Sequence, residues 1–209
     1  MTSMPSRDRD RAGAGLSTQR GIKAVGADAL LVAGGGGVGG RGSSDLAYAR
    51  KWARVGVLAA LALVLSYIET FIPLPVPVPG IKLGLANIAV LMALEMLDVK
   101  SAACVALVKV LASGFLFGNP LMMLYSAGGT ALAFIAMAAL TRIEGFSVML
   151  AAIVGAILHN VGQLAVASLV LGTPLVWATA PVLVIAACAT GALSGWATRY
   201  ALRCLESGR

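Results

Sequence analysis

The chain has 209 residues, of which 59% are hydrophobic and 12% charged, with a mean hydropathy of +0.90, too apolar for a domain whose surface is solvated all round. Sixteen Lys+Arg face nine Asp+Glu, but nine of the sixteen fall in the first 54 positions and the rest are scattered. The basic excess therefore reads as membrane topology and not as a nucleic-acid surface. Cys104, Cys188 and Cys204 share no metal-ligand spacing and are expected as packing residues. No apolar core of the kind a cleaved signal peptide needs occurs in the first 28 residues, so insertion is expected to rely on the first spanning helix.

Residues 1–49 are polar, basic and glycine-rich and are expected to be a disordered tail. They contain G-x-G-x-x-G at Gly34, Gly36 and Gly39, but the chain runs on into Arg41-Gly42-Ser43-Ser44 and then apolar sequence. A dinucleotide fingerprint needs a βαβ unit around it, so a linker is the better reading. The membrane domain is expected over 50–204, with a short cytoplasmic tail at 205–209. Six apolar segments follow one another, at 55–71, 81–97, 101–117, 121–140, 148–171 and 175–202. About 20 helical residues cross a hydrocarbon core of about 30 Å, so the fold class is an all-α integral membrane protein of six transmembrane helices. The second segment is short and interrupted by glycine. Between Glu144 and Arg199 the sequence has no Lys, Arg, Asp or Glu.

With the N-terminus in the cytoplasm, the inner side collects the basic tail, Lys100, Arg142, Arg199, Arg203 and Arg209, and the outer connections contribute only Lys82. By the positive-inside rule both termini are cytoplasmic. Trp52 and Trp196 then fall near the inner interface and Trp177 near the outer one. Small residues recur at four-residue spacing: Gly56 with Ala60, Ala62 with Ser66, and Gly191 with Gly195. Such spacing serves packing within the bundle or, on helix one, docking of another membrane protein.

Ionisable groups at membrane depth need a partner, water or a ligand. The candidates are Glu69, Lys82, Glu95, Lys109 and His159, with Asn87, Asn119, Tyr125, Asn160 and Gln163 as neutral polar company. Glu69, Lys82 and Asn119 are expected on the outer side. His159, Asn160 and Gln163 are expected on one face of helix five, either touching a solute or bonding between helices. Lys109, the deepest cation, either pairs with Glu95 or binds an anionic ligand group. Glu69 and Lys82 either contact the ligand or pin the loop between them as a salt bridge. No metal site is expected, because His159 is the only histidine.

Between helices one and two stand Pro73, Pro75, Pro77 and Pro79, followed by Gly80. Alternating Pro-x-Pro cannot continue a helix and favours an extended polyproline strap of about 3.1 Å per residue. With apolar Leu74, Val76 and Val78 between the prolines, it has the character of a lid over an outer cavity.

The run from Ser66-Tyr67-Ile68-Glu69 through these prolines to Pro79-Gly80-Ile81-Lys82-Leu83-Gly84-Leu85-Ala86-Asn87 resembles the signature of the Gx transporter family, also labelled heptaprenyl diphosphate synthase component I. The similarity covers about residues 50–204 and includes Gly118-Asn119-Pro120 and His159-Asn160. It implies kinship with the S components of energy-coupling-factor (ECF) transporters. Those are six-helix proteins that bind a vitamin-like solute from outside under the loop between helices one and two. They dock on a transmembrane T component powered by two ATPases, and Gly56, Ala60, Ala62 and Ser66 would supply the docking surface here. Gly84 belongs to the lid motif under this resemblance.

Two functions compete. As a substrate-capture subunit in the plasma membrane, the chain would take a small solute and leave ATP hydrolysis to partners, since it has no G-x-x-x-x-G-K-[ST] loop. As a synthase component it would be a non-catalytic accessory. Asp8, Asp10, Asp28, Asp45 and Asp98 form no D-D-x-x-D cluster to hold Mg²⁺ on a diphosphate. Neither role calls for a cofactor in this chain.

Overall fold

A computed structural model describes residues 39–72 and 81–207. In chain order these form α1 (Gly39–Glu69), α2 (Asn87–Met96), α3 (Val99–Phe117), α4 (Pro120–Leu140), α5 (Val148–Leu171), a 3-10 helix (Pro174–Thr179) and α6 (Ala180–Ser207). No strand occurs among the described residues, in line with the all-α expectation. By its contacts the chain divides into Met1–Arg50 and Lys51–Arg209. Of the first unit, residues 39–50 are described, and they are helical. Helix α1 thus starts inside the stretch expected to be a disordered tail.

Five segments are long and apolar enough to cross a membrane: Ser43–Glu69, Val99–Phe117, Pro120–Leu140, Val148–Leu171 and Pro174–Cys204. They mark a multi-pass membrane protein. The expected second spanning helix, 81–97, is not one. Residues 81–84 are not helical, Gly84 takes a left-handed φ of 86°, and α2 has only 10 residues. At 1.5 Å per residue α2 is about 15 Å long, half of what a span requires.

Local sequence sets the other boundaries. Asp98 caps α3, its carboxylate accepting from the Ser101 amide at 3.3 Å and the Ser101 hydroxyl at 2.7 Å. Asn119 caps α4 by accepting from the Met122 amide at 2.8 Å, with Pro120 in the first turn, where a missing N–H costs nothing. Gly172 ends α5 at φ 64°, and Thr173 and Pro174 open the 3-10 turn ahead of α6.

Two contacts fix how the chain returns after α1. Lys51, twelve residues into α1, forms an ion pair with Asp98 at 2.7 Å, and Glu69 at its end accepts a hydrogen bond from the Leu85 amide. The 18 residue steps of α1 from Lys51 to Glu69 rise about 27 Å, so residues 85–98 run antiparallel to α1 over that length, through a turn and α2.

The apolar interior has two parts. One joins Val55, Leu58 and Ala62 of α1 to Ala89 through Ala93 of α2, Ala102 and Val105 of α3, Met137 of α4 and Ala151 of α5. The other holds Ile81, Tyr125, Leu164, Ala167, Val176 and Leu183. Helices α4, α5 and α6 approach through glycine. A Cβ on Gly162 would stand 2.6 Å from the Gly128 carbonyl oxygen, and one on Gly191 or Gly195 would stand 2.6 or 2.7 Å from the α5 backbone at Ile153 or Met149. The Gly191 and Gly195 pair therefore packs within the bundle. Helix α1 divides its small residues between two faces. Ala62 and Ser66 are buried, whereas Gly56 and Ala60 are exposed. This corrects the expected docking set, because residues six positions apart on a helix lie on different sides of it. Of the three cysteines only Cys104 is even partly buried; Cys188 and Cys204 are exposed, against the packing role expected of them.

Gly162→Ala is expected to lower unfolding stability in detergent by about 1–3 kcal/mol, since backbone and not a flexible side chain blocks the added methyl. Gly56→Ala, with open space around it, is expected to be neutral or slightly stabilising. A hydrogen bond from Lys51, then the Ser101 hydroxyl, holds the Asp98 carboxyl well below its ordinary 3.8. With a folded-state value below the unfolded one, the stabilisation is complete above about pH 4 and is lost as pH falls further. The stability gap between the native chain and Asp98→Asn, followed by thermal unfolding, is therefore expected to be constant near about pH 7 and to close in acid.

Candidate functional site

The non-helical residues 81–86 are mostly buried, at the end of the bundle where α1 stops. In an apolar surrounding, each of their free N–H groups needs an acceptor, or costs about 1–3 kcal/mol. Side chains provide two of them. The Glu69 carboxylate accepts from the Leu85 amide, and Gln163 Oε1 accepts from the Lys82 amide at 3.0 Å. The turn is closed by the Asn87 amide donating to the Gly84 carbonyl at 2.9 Å, which leads into α2.

These bonds assign proton positions further in. Because the Lys82 N–H must donate, the Gln163 atom facing it is oxygen, and its Nε2 is the donor toward His159 Nε2, 2.7 Å away. His159 therefore accepts at Nε2 and carries its proton on Nδ1, as a neutral ring. Gly84 passes directly over it: a Cβ there would lie 3.0 Å from both His159 Cδ2 and Asn87 Nδ2. Glycine is needed twice, for the positive φ and for the close approach.

Beside this lies Lys109, 2% exposed at the middle of α3. Its ammonium donates to Asn87 Oδ1 at 2.7 Å and to Thr130 Oγ1 at 3.1 Å. The expected partner Glu95 is exposed near the other end of α2, so the alternative of a Lys109–Glu95 pair is set aside. Among the described residues no ion pair within 4.0 Å joins Glu69 and Lys82. Hydrogen bonds to backbone, and not a salt bridge, pin this segment.

The structure thus brings together Glu69, Lys82, Gly84, Asn87, Lys109, His159 and Gln163. Three other candidates lie apart. Asn119 is an exposed helix cap. Tyr125 packs its ring into the apolar cluster with Ile81, Leu164 and Val176. Asn160 is buried but turned to α6, its Nδ2 donating to the Leu183 carbonyl at 3.0 Å, because adjacent helical residues point about 100° apart. Pro73, Pro75, Pro77, Pro79 and Gly80, the expected lid, lie outside the described residues. Thr130 was missed by sequence reasoning. The signal was Gly128-Gly129-Thr130, a small-residue break in an apolar helix that lets α5 and the Lys109 ammonium come close.

A family model described as heptaprenyl diphosphate synthase component I matches residues 58–201. The chain belongs to that family. Neither the curated proteins nor the solved structures compared with it gave a match. The matched region of this component I family member holds the whole cluster, from Glu69 to Gln163.

In this component I protein, Gln163→Leu is expected to leave the Lys82 N–H without an acceptor and to cost about 1–3 kcal/mol of stability. Amide hydrogen exchange in lipid nanodiscs checks the cause: exchange at Lys82 should accelerate well beyond that at Ala93 within α2.

Proposed function

We propose that this chain is a membrane-embedded solute-binding subunit of the S-component type, part of an ECF-like uptake transporter in the plasma membrane. The observation that carries the reading is the interrupted second segment. Residues 81–86 and the half-length α2 form a discontinuous passage lined by buried Glu69, Asn87, Lys109, His159 and Gln163. Non-helical backbone at membrane depth is tolerated where it lines a protein cavity, and transporters place substrate sites at such breaks. Counted with this passage, the chain crosses six times and both termini are cytoplasmic. The distribution of basic residues supports that orientation.

In this reading a small vitamin-like solute reaches the cluster from the outer end of the bundle. Glu69, Lys82, Asn87, Lys109, His159 and Gln163 bind it. A transmembrane T component and two ATPase subunits complete the transporter, since this chain carries no phosphate-binding loop of its own. The exposed side of α1, with Gly56, Ala60, Val57 and Val64, is the face offered to the T component.

The family description supports a second reading, a non-catalytic membrane subunit that assists a prenyl diphosphate synthase. The five aspartates of the chain form no D-D-x-x-D motif, so the chemistry would belong to the partner.

Extraction of the full chain from native membranes, followed by native mass spectrometry, separates the two. A retained small molecule together with a T component and ATPases is expected, and Lys82→Ala and Glu69→Ala should each weaken retention at least tenfold while the variants stay folded. Co-purification of a soluble prenyl synthase whose activity needs this chain, with no retained solute, would favour the second reading instead.

A further inference from the structure

We infer that the buried cluster of Lys109 and Asn87 is built for a single negative charge, and that the ligand group it takes is a monoanion such as a carboxylate. This deepens the solute-capture reading and rests on it for the origin of the ligand. Glu69, Lys82 and Lys109 meet at one segment: Glu69 holds the Leu85 amide, Lys82 lies within the segment, and Lys109 donates to Asn87 at its end. Two lysines and one glutamate sum to a formal charge of +1. The one histidine of the cluster adds nothing, since Nε2 accepts from Gln163.

The shortage is local as well as global. Among the described residues no carboxylate lies within 4.0 Å of the Lys109 ammonium. Glu69 is turned to the Leu85 amide instead. An ammonium has three N–H donors. Those of Lys109 go to Asn87 Oδ1 and Thr130 Oγ1, both neutral, and one is left over. The adjacent Asn87 Nδ2 is buried and has no partner at all. Because the two amide heteroatoms of Asn87 share one carbon, Nδ2 lies close to the Nζ that donates to Oδ1. Gly84 packs so closely on this side that a Cβ there would come within 3.0 Å of Nδ2.

An unbalanced buried cation with unsatisfied donors beside it is costly at membrane depth. One carboxylate accepting from Nζ and Nδ2 removes both costs at once. A diphosphate, with more than one negative charge, overshoots the deficit, so the site discriminates against the substrates of prenyl transfer.

The test uses the full chain in detergent and matched probe pairs at constant ionic strength: acetate with acetamide, propionate with propionamide, and benzoate with benzamide. Carboxylates are expected to raise the thermal unfolding midpoint and the amides to leave it unchanged, with Lys109→Gln abolishing the difference. Asn87→Asp guards against a variant that merely misfolds: it supplies the missing charge beside Nζ, so its midpoint should rise and its response to carboxylates vanish. Equal effects of acids and amides, an undiminished response in Lys109→Gln, or a midpoint in Asn87→Asp as low as in Asn87→Ala would each overturn the inference. Mass spectrometry keeps the two claims apart. A neutral retained solute sinks the anion site and leaves capture standing. A carboxylate response without any retained solute supports the anion site and removes capture.

Discussion

Unpaired backbone in an apolar surrounding is the constraint on which this structure turns. A helix answers it internally; the non-helical residues 81–86 cannot. The N–H groups of Lys82 and Leu85 are met by Gln163 from α5 and Glu69 from α1, so two distant side chains do at these positions what the i→i−4 ladder does elsewhere. That dependence explains why ionisable and amide side chains persist in a chain with so few of them.

Once those acceptors are committed, the remaining roles follow. Gln163 uses its oxygen on Lys82 and therefore offers its nitrogen to His159, which fixes a neutral imidazole. Glu69 is held to Leu85 and cannot also close on Lys109. The Lys109 ammonium is left with Asn87 and Thr130, two neutral acceptors. A structural need in the backbone thus leaves a charge imbalance in the interior, and the imbalance is what gives the cluster a possible use.

Packing makes the cluster possible. Gly128, Gly129 and Gly162 let α4 and α5 touch nearly backbone to backbone, and Gly84 lets the loop lie against the His159 ring. Without driving force from water inside a membrane, such close approach is the main source of cohesion between helices. Twelve residues into α1 the Lys51–Asp98 pair tethers the returning chain, so both ends of the segment 85–98 are anchored.

Composition and hydropathy alone were enough to determine an all-helical, multi-pass membrane chain and its helix boundaries at Asn119-Pro120 and Gly172, because these depend on local spacing and capping, whereas the family was legible only in the resemblance of the run from Ser66 to Asn87. The candidate residues Glu69, Lys82, Asn87, Lys109, His159 and Gln163 were legible too, since any polar group in so apolar a chain stands out. Their partners were not. That 81–97 breaks into a loop and a half helix, that Asn160 turns to α6, that Ala62 and Ser66 face inward, and that Lys109 meets Thr130 and not Glu95 were decided by tertiary structure. Each depends on which face of a helix meets which neighbour, and helical rotation and close glycine contacts set that only when the whole bundle is assembled.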